Sequence, residues 1–270
     1  MKNSALRKIS VLFLSLIVAT MPLTACADND FDKNYDPLPE LVIGSDDYPP
    51  FFFSNDNGAF DGIDVEIATE ACKIMGYTPR FVHIEWSDKN RLLEEGKIDC
   101  LWGSFTRTGR ENDYSWSQPY MNSRQVIAVL SDSEITRISD LDGKRIAVQA
   151  TSKPDEIFSG KTTEKFEVPK LSMIYCFTDF EQIFASISEG YVDAIAGHET
   201  VLREYMKTST VQLRILSEPL LEVQLGVAFE KDTHADVIER LNQALSLMGK
   251  NGFIADIAEK YGLDPELAAV

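Results

Sequence analysis

The segment Glu95-Gly96-Lys97-Ile98-Asp99-Cys100-Leu101-Trp102-Gly103-Ser104 has a counterpart in Glu189-Gly190-Tyr191-Val192-Asp193-Ala194-Ile195-Ala196-Gly197-His198. Each reads as a glycine that ends a helix, an aspartate, an apolar strand, and a second glycine where the strand's carboxyl end opens. The flanks repeat as well. Before the first copy, Leu41-Val42-Ile43-Gly44 predicts a strand, and Ile63, Ile67, Ala71, Ile74 and Met75 recur at helical spacing. Asp64 near the start of that helix and Gly76 just past its end are the expected terminal residues. Phe81-Val82-His83-Ile84 is a second strand, 88–95 a short helix and 98–102 a third strand. Before the second copy, 144–148 reads as a strand, 154–158 as the start of a helix, 173–176 as a strand and 180–188 as a helix.

Alternation of this kind predicts parallel, doubly wound sheets. The fold class is therefore α/β, with two doubly wound open-sheet lobes joined by a β hinge of two crossovers. The strand at 225–229 returns the chain to the first lobe, and helical patterns at 236–248 and 253–261 complete it. Lobe one is expected over 38–127 and 225–270 and lobe two over 128–224, with crossings near 126–130 and 221–225. In open α/β sheets ligands lie beyond the carboxyl ends of the strands. Facing lobes would set Gly103-Ser104 and Gly197-His198 opposite one another across a cleft able to close on a small molecule.

The remaining sequence bounds the function. With 44% apolar and 26% charged residues, the 270-residue chain is globular in composition, which excludes a collagen, a disordered chain and a multi-pass membrane protein. Its net charge of −17 argues against nucleic acid as a partner. Lys2, Arg7 and Lys8 precede an apolar run at 9–20, short for a membrane span and right for a secretory signal. Leu23-Thr24-Ala25-Cys26 resembles a bacterial lipobox. Residues 1–25 then form a lipoprotein signal peptide, Cys26 carries the lipid, and 26–37 is a solvated tether. The alternative is an ordinary export signal beside an accidental cysteine. Cys72, Cys100 and Cys176 stand among apolar neighbours and read as buried small hydrophobes. Three scattered histidines with no CxxC or HExxH predict no metal and no cofactor.

Six further pieces, in order, carry a family resemblance. They are Tyr48-Pro49-Pro50-Phe51, Gly62-Ile63-Asp64-Val65-Glu66, Glu95-Gly96-Lys97-Ile98-Asp99, Trp116-Ser117-Gln118-Pro119-Tyr120, Leu141-Asp142-Gly143-Lys144-Arg145 and Gly190-Tyr191-Val192-Asp193-Ala194. From about Leu41 to Gly262 the chain resembles the bacterial extracellular solute-binding proteins of family 3, the polar amino-acid receptors of ABC importers. The resemblance implies a type II periplasmic binding protein fold and a monomer. It would be held at the membrane through its lipid alone and would deliver an amino acid or close analogue to ABC permease subunits.

The same resemblance implies that an arginine after the third strand grips the ligand's carboxylate. Arg110 matches one residue early, and Arg107 is the rival. A guanidinium fork suits a carboxylate bidentately. Gly103, Ser104 and Thr106 share that loop, and the two hydroxyls can reach the ligand or cap the next turn. Thr151-Ser152-Lys153-Pro154, with Asp155 three after Ser152, is N-cap chemistry that leaves N–H groups for an anion. Lys153 adds a second cation or points to water. Tyr48 and Trp86 match the positions that sandwich the ligand side chain, with Phe52 close by, whereas Phe51 and Trp102 read as core. Where the family places an ammonium-binding aspartate, this chain has His198, followed by Glu199. Either His198 accepts from the ammonium, Glu199 replaces the carboxylate, or the ligand lacks a standard amino group. Asp46 and Asp47 near the mouth are placed to meet a cationic side chain. A histidine there predicts binding that responds to pH between about 5 and 8. Two other classes stay open: a lyase using His198 and Glu199 as acid and base, and a ligand sensor for a signalling partner.

Overall fold

The computed structural model describes residues 37–162, 167 and 169–269. The expected signal peptide, Cys26 and the expected tether up to residue 36 lie outside the described residues. The first sheet is built from β1 (Glu40–Ser45), which leads through the β2–β3 hairpin (Phe53–Ser54 and Phe60–Asp61) into helix α1 (Ile63–Met75). β4 (Thr78–His83) returns parallel to β1, and α2 (Lys89–Glu94) precedes β5 (Cys100–Leu101), which pairs with the other edge of β1. β6 (Ser115–Trp116) follows.

α1 buries Ile63, Ile67 and Ala71, as the spacing predicts, but Ile74 faces outward and Cys72 takes the buried position. Gly76 closes the helix in the left-handed conformation at φ 75°, its N–H turned back to Cys72 and Lys73 carbonyls. Asp64 does not cap α1. It is buried and accepts the Ser104 N–H at 2.6 Å, tying the helix to the end of β5. Burial pushes its carboxyl up to about 7.

β7 (Met121–Leu130) enters the second lobe. There β8 (Arg145–Gln149), α3 (Lys153–Phe158), β9 (Met173–Phe177), α4 (Phe180–Ser188), β10 (Ala194–His198), α5 (Glu199–Thr208) and β11 (Leu213–Ile215) follow. The strand order is β11-β7-β10-β8-β9, with β8 parallel to β9 and β10. β12 (Leu221–Leu225) runs back antiparallel to β7. β13 (Ala228–Phe229) then rejoins the first sheet, giving it the order β4-β1-β5-β13-β6, and α6 (Ala235–Lys250) and α7 (Phe253–Lys260) cover it.

The expected crossing segments fall on β7 and β12. Residues 126–130 pair with β10 and β11 in the second sheet, and Met121–Gln125 pair with β12.

The internal repeat has a structural meaning. Asp99 Oδ2 accepts the Val42 N–H at 2.7 Å, and Asp193 Oδ2 accepts the Arg145 N–H at 2.8 Å. Each aspartate pins the start of a strand to the neighbouring first strand of its lobe. The glycines are dictated by close approach: a Cβ on Gly103 would stand 1.9 Å from Ser45 Oγ, and one on Gly197 would stand 2.8 Å from the Phe180 ring. One cysteine departs from the buried reading. Cys72 and Cys100 are buried, but Cys176, on edge strand β9, is exposed. Among the described residues no helix is long and apolar enough to cross a membrane, and no group of side chains is arranged to hold a metal ion.

Candidate functional site

The carboxyl ends of β1, β5, β8 and β10 meet across the crossing strands, and one cavity lies among them. Nine of the expected residues line it: Tyr48, Trp86, Gly103, Ser104, Thr106 and Arg110 on one side, Ser152, Lys153 and His198 on the other. The space they enclose is about 30 Å³, room for about one or two water-sized groups.

Arg110 is buried between the lobes. Its Nε donates to Glu156 Oε1 at 2.8 Å and its Nη2 lies 2.6 Å from the same oxygen. Nη1 donates to the Thr106 carbonyl at 3.2 Å and Nη2 to the Thr151 carbonyl at 3.4 Å. The Phe105 ring packs 4.9 Å beneath the guanidinium carbon. The backbone around it is held in rare conformations. Ser104 and Thr151, on the two loops, both have positive φ, 51° and 59°. Ser152 caps α3 by accepting the Asp155 N–H, and Asp155 Oδ2 accepts the Thr151 N–H at 2.9 Å. The N-cap read from the sequence is formed.

His198 ends β10, buried. Gln125 Nε2 donates to its Nε2 at 2.8 Å, which makes that nitrogen the acceptor, and its Nδ1–H then donates to Ser123 Oγ at 3.0 Å. Burial, with Arg110 nearby, pushes the imidazole down to about 3. This corrects the expected pH response: a histidine so placed is neutral throughout pH 5–8. Asp46 also lines the cavity, and Gln149 Nε2 donates to its Oδ2 across the cleft. Burial lifts that carboxyl to about 7. Tyr48 meets Phe180 edge-on at 5.1 Å, joining the aromatic walls of the two lobes.

Three expected residues stand elsewhere. Phe52 turns into the first lobe against Phe60 and Phe81, at 5.0 and 6.0 Å. Thr151 stays on the rim, its hydroxyl accepting from Lys89 Nζ at 2.7 Å. Glu199 begins α5 on the far side of β10 from His198. Its two oxygens accept from Arg124 and Arg203, facing a separate hollow. A His198–Glu199 acid–base pair therefore has no common site.

Several lining residues escaped the sequence reading. Gln125 closes the polar half of β7 just before its apolar run, and Gln149 ends β8 where the crevice rule points. Phe105 and Phe180 line the cavity too. Ser104 Oγ and Gln125 Oε1 are buried at the cavity with no hydrogen-bond partner among the described residues.

Two sheets joined by paired crossing strands, with a polar, arginine-bearing cavity between their strand ends, define a two-lobed small-molecule-binding protein. The model of the bacterial extracellular solute-binding proteins, family 3, matches residues 41–264, and the chain belongs to that family. It is 26% identical over 260 residues to the probable amino-acid-binding protein YxeM of Bacillus subtilis strain 168, covering 95% of each chain. It is 24% identical to the L-cystine-binding protein TcyA of the same strain, covering 94% of this chain and 97% of that one. A solved ancestral arginine-binding protein bound to arginine superposes with a TM-score of 0.73 and 27% identity, over 83% of this chain and 99% of the other.

Proposed function

We propose that this protein captures one amino acid between its lobes outside the cytoplasm and delivers it to an ABC importer, without chemical turnover. In this reading the lobes divide at the two crossing strands, and Cys26 carries the lipid that holds the protein at the membrane. The observation that supports the reading best is convergence: Arg110, Trp86 and Ser152, far apart in sequence, line one cavity between two sheets.

An enclosed volume of about 30 Å³ is too small for an amino acid, so the lobes part to admit one. Arg110 then exchanges Glu156 for the ligand's carboxylate. The amino group meets acceptors rather than a carboxylate on lobe two. The unpartnered Gln125 Oε1 and Ser104 Oγ are the receivers, while His198 holds Gln125 and Thr106 in place. Tyr48 and Trp86 flank the side chain.

Thermal-shift screening against the twenty amino acids and L-cystine, followed by calorimetry, tests the proposal. At least one should bind, and Arg110→Ala should weaken it by about a hundredfold or more, the order expected when a charge-assisted bidentate pair is lost. No binder in the screen, or unchanged affinity in Arg110→Ala, would remove amino-acid capture at this cleft.

A further inference from the structure

Two cations, Arg110 and Lys153, line the cleft and share a single carboxylate, and a third, Lys89, is buried beside Trp86 just behind that lining. Arg110 takes Glu156 Oε1, and Lys153 Nζ lies 3.3 Å from Glu156 Oε2. The third, Lys89, is buried and has no carboxylate within ion-pairing distance among the described residues. Its ammonium donates to Thr151 Oγ1 at 2.7 Å and to the Trp86 and Thr151 carbonyls, each at 3.4 Å. Arg110 reaches the same Thr151 carbonyl, so the two cations are neighbours.

Packing does not call for a lysine here. Lys89 and Leu93, one turn apart, are the buried residues of α2, and an apolar side chain at 89 would complete that face. A buried ammonium without a counter-ion is costly, and burial together with Arg110 pushes it down to about 8. The acids that face it are Glu156, Asp46 and Asp155. Glu156 is engaged by Arg110 and Lys153. Asp155 accepts from the Thr151 N–H and the Ser159 hydroxyl, with the Cys176 thiol 3.6 Å away. Asp46 takes Gln149, and burial raises its pKa. Three cations thus face three acids, of which only Glu156 is within ion-pairing distance of any of them.

We infer that Lys89 and Lys153 receive a second carboxylate of the ligand, so that the cleft selects a dicarboxylic amino acid over neutral and cationic ones. The inference rests on the amino-acid reading given above. With the α-carboxylate on Arg110, a side chain lying along Trp86 ends beside Lys89 Nζ, which stands 5.0 Å from the ring centre. A carboxylate there gains charge-assisted hydrogen bonds, while a guanidinium or ammonium meets like charge.

Calorimetry on the full chain at pH 7 with L-glutamate, L-aspartate, L-glutamine and L-arginine tests it. The better of the two acidic ligands should bind at least tenfold tighter than L-glutamine, with L-arginine weakest. Lys89→Met should shrink the acidic-over-glutamine ratio to less than threefold, and Lys89→Arg should keep it. Circular dichroism verifies folding. If Lys89→Met melts below the assay temperature, Lys153→Met supplies the same comparison. Glutamine or arginine binding as tightly as the acidic ligands, or a Lys89→Met protein with its preference intact, overturns this selectivity alone. A screen in which no amino acid binds overturns amino-acid capture and the selectivity with it.

Discussion

Glu156→Gln is the most informative single change outside the cavity. Glu156 reaches across from α3 and occupies the guanidinium that the ligand's carboxylate needs, so protein and ligand carboxylates compete for one arginine. Arg110 is 4% exposed and Glu156 25%. A hydrogen bond to a charged group contributes about 1.5–3 kcal/mol when sheltered, and partial exposure of Glu156 brings the net nearer to about 1–2 kcal/mol. Glutamine keeps the size and one acceptor but removes the charge. Ligand affinity should therefore rise by about five- to thirtyfold. The ligand-free protein should melt a few degrees lower, because buried Arg110 and Lys153 lose their shared counter-ion. Titration calorimetry and thermal melts of both proteins measure the two effects. Unchanged or weaker affinity in Glu156→Gln would refute the competition and mean that Glu156 stays with Arg110 when ligand binds.

Four further outcomes follow from other parts of the structure. The His198 ring resonances should not titrate between pH 5 and 8. Its proton affinity is lowered by folding from 6.5 to about 3, so its share of stability is complete above about 6.5 and is lost as pH falls toward 3. Asp64 behaves oppositely: folding raises it from 3.8 to about 7, so its stabilising share is present in acid and fades as pH rises through that window. Asp64→Asn should gain on the wild type in melting temperature between pH 4 and 7, and a constant difference would contradict this. Gly103→Ala should cost about 1–3 kcal/mol in denaturant unfolding, the usual range for overpacking, since the new Cβ stands 1.9 Å from Ser45 Oγ and 2.8 Å from its Cβ. Asp99→Ala and Asp193→Ala should each lose about 1–3 kcal/mol by stranding a strand-end N–H, and chemical melts showing neither loss would deny the repeat its pinning role.

Much of this molecule is written in short stretches of its chain. The Ser152 cap and the left-handed Gly76 depend on neighbours a few residues away, whereas the Gly-x-x-Asp repeats are visible as a pattern although their partners are distant. Backbone geometry and hydrogen-bond chemistry at that range are properties of residue type. The alternation of strands and helices, and the crevice at their carboxyl ends, were legible for the same reason.

What the chain could not disclose is which way a side chain faces once strands turn. Phe52, four residues after the lining Tyr48, enters the core, and Glu199, next to the lining His198, meets Arg124 and Arg203. Nor does any local pattern reveal that Lys89, in an ordinary charged helix, is buried beside Arg110, or that His198 is stripped of water and neutral. Those properties arise from two lobes meeting, where desolvation sets the charge of each group. Desolvation depends on residues distant in sequence, so only the folded chain decides it.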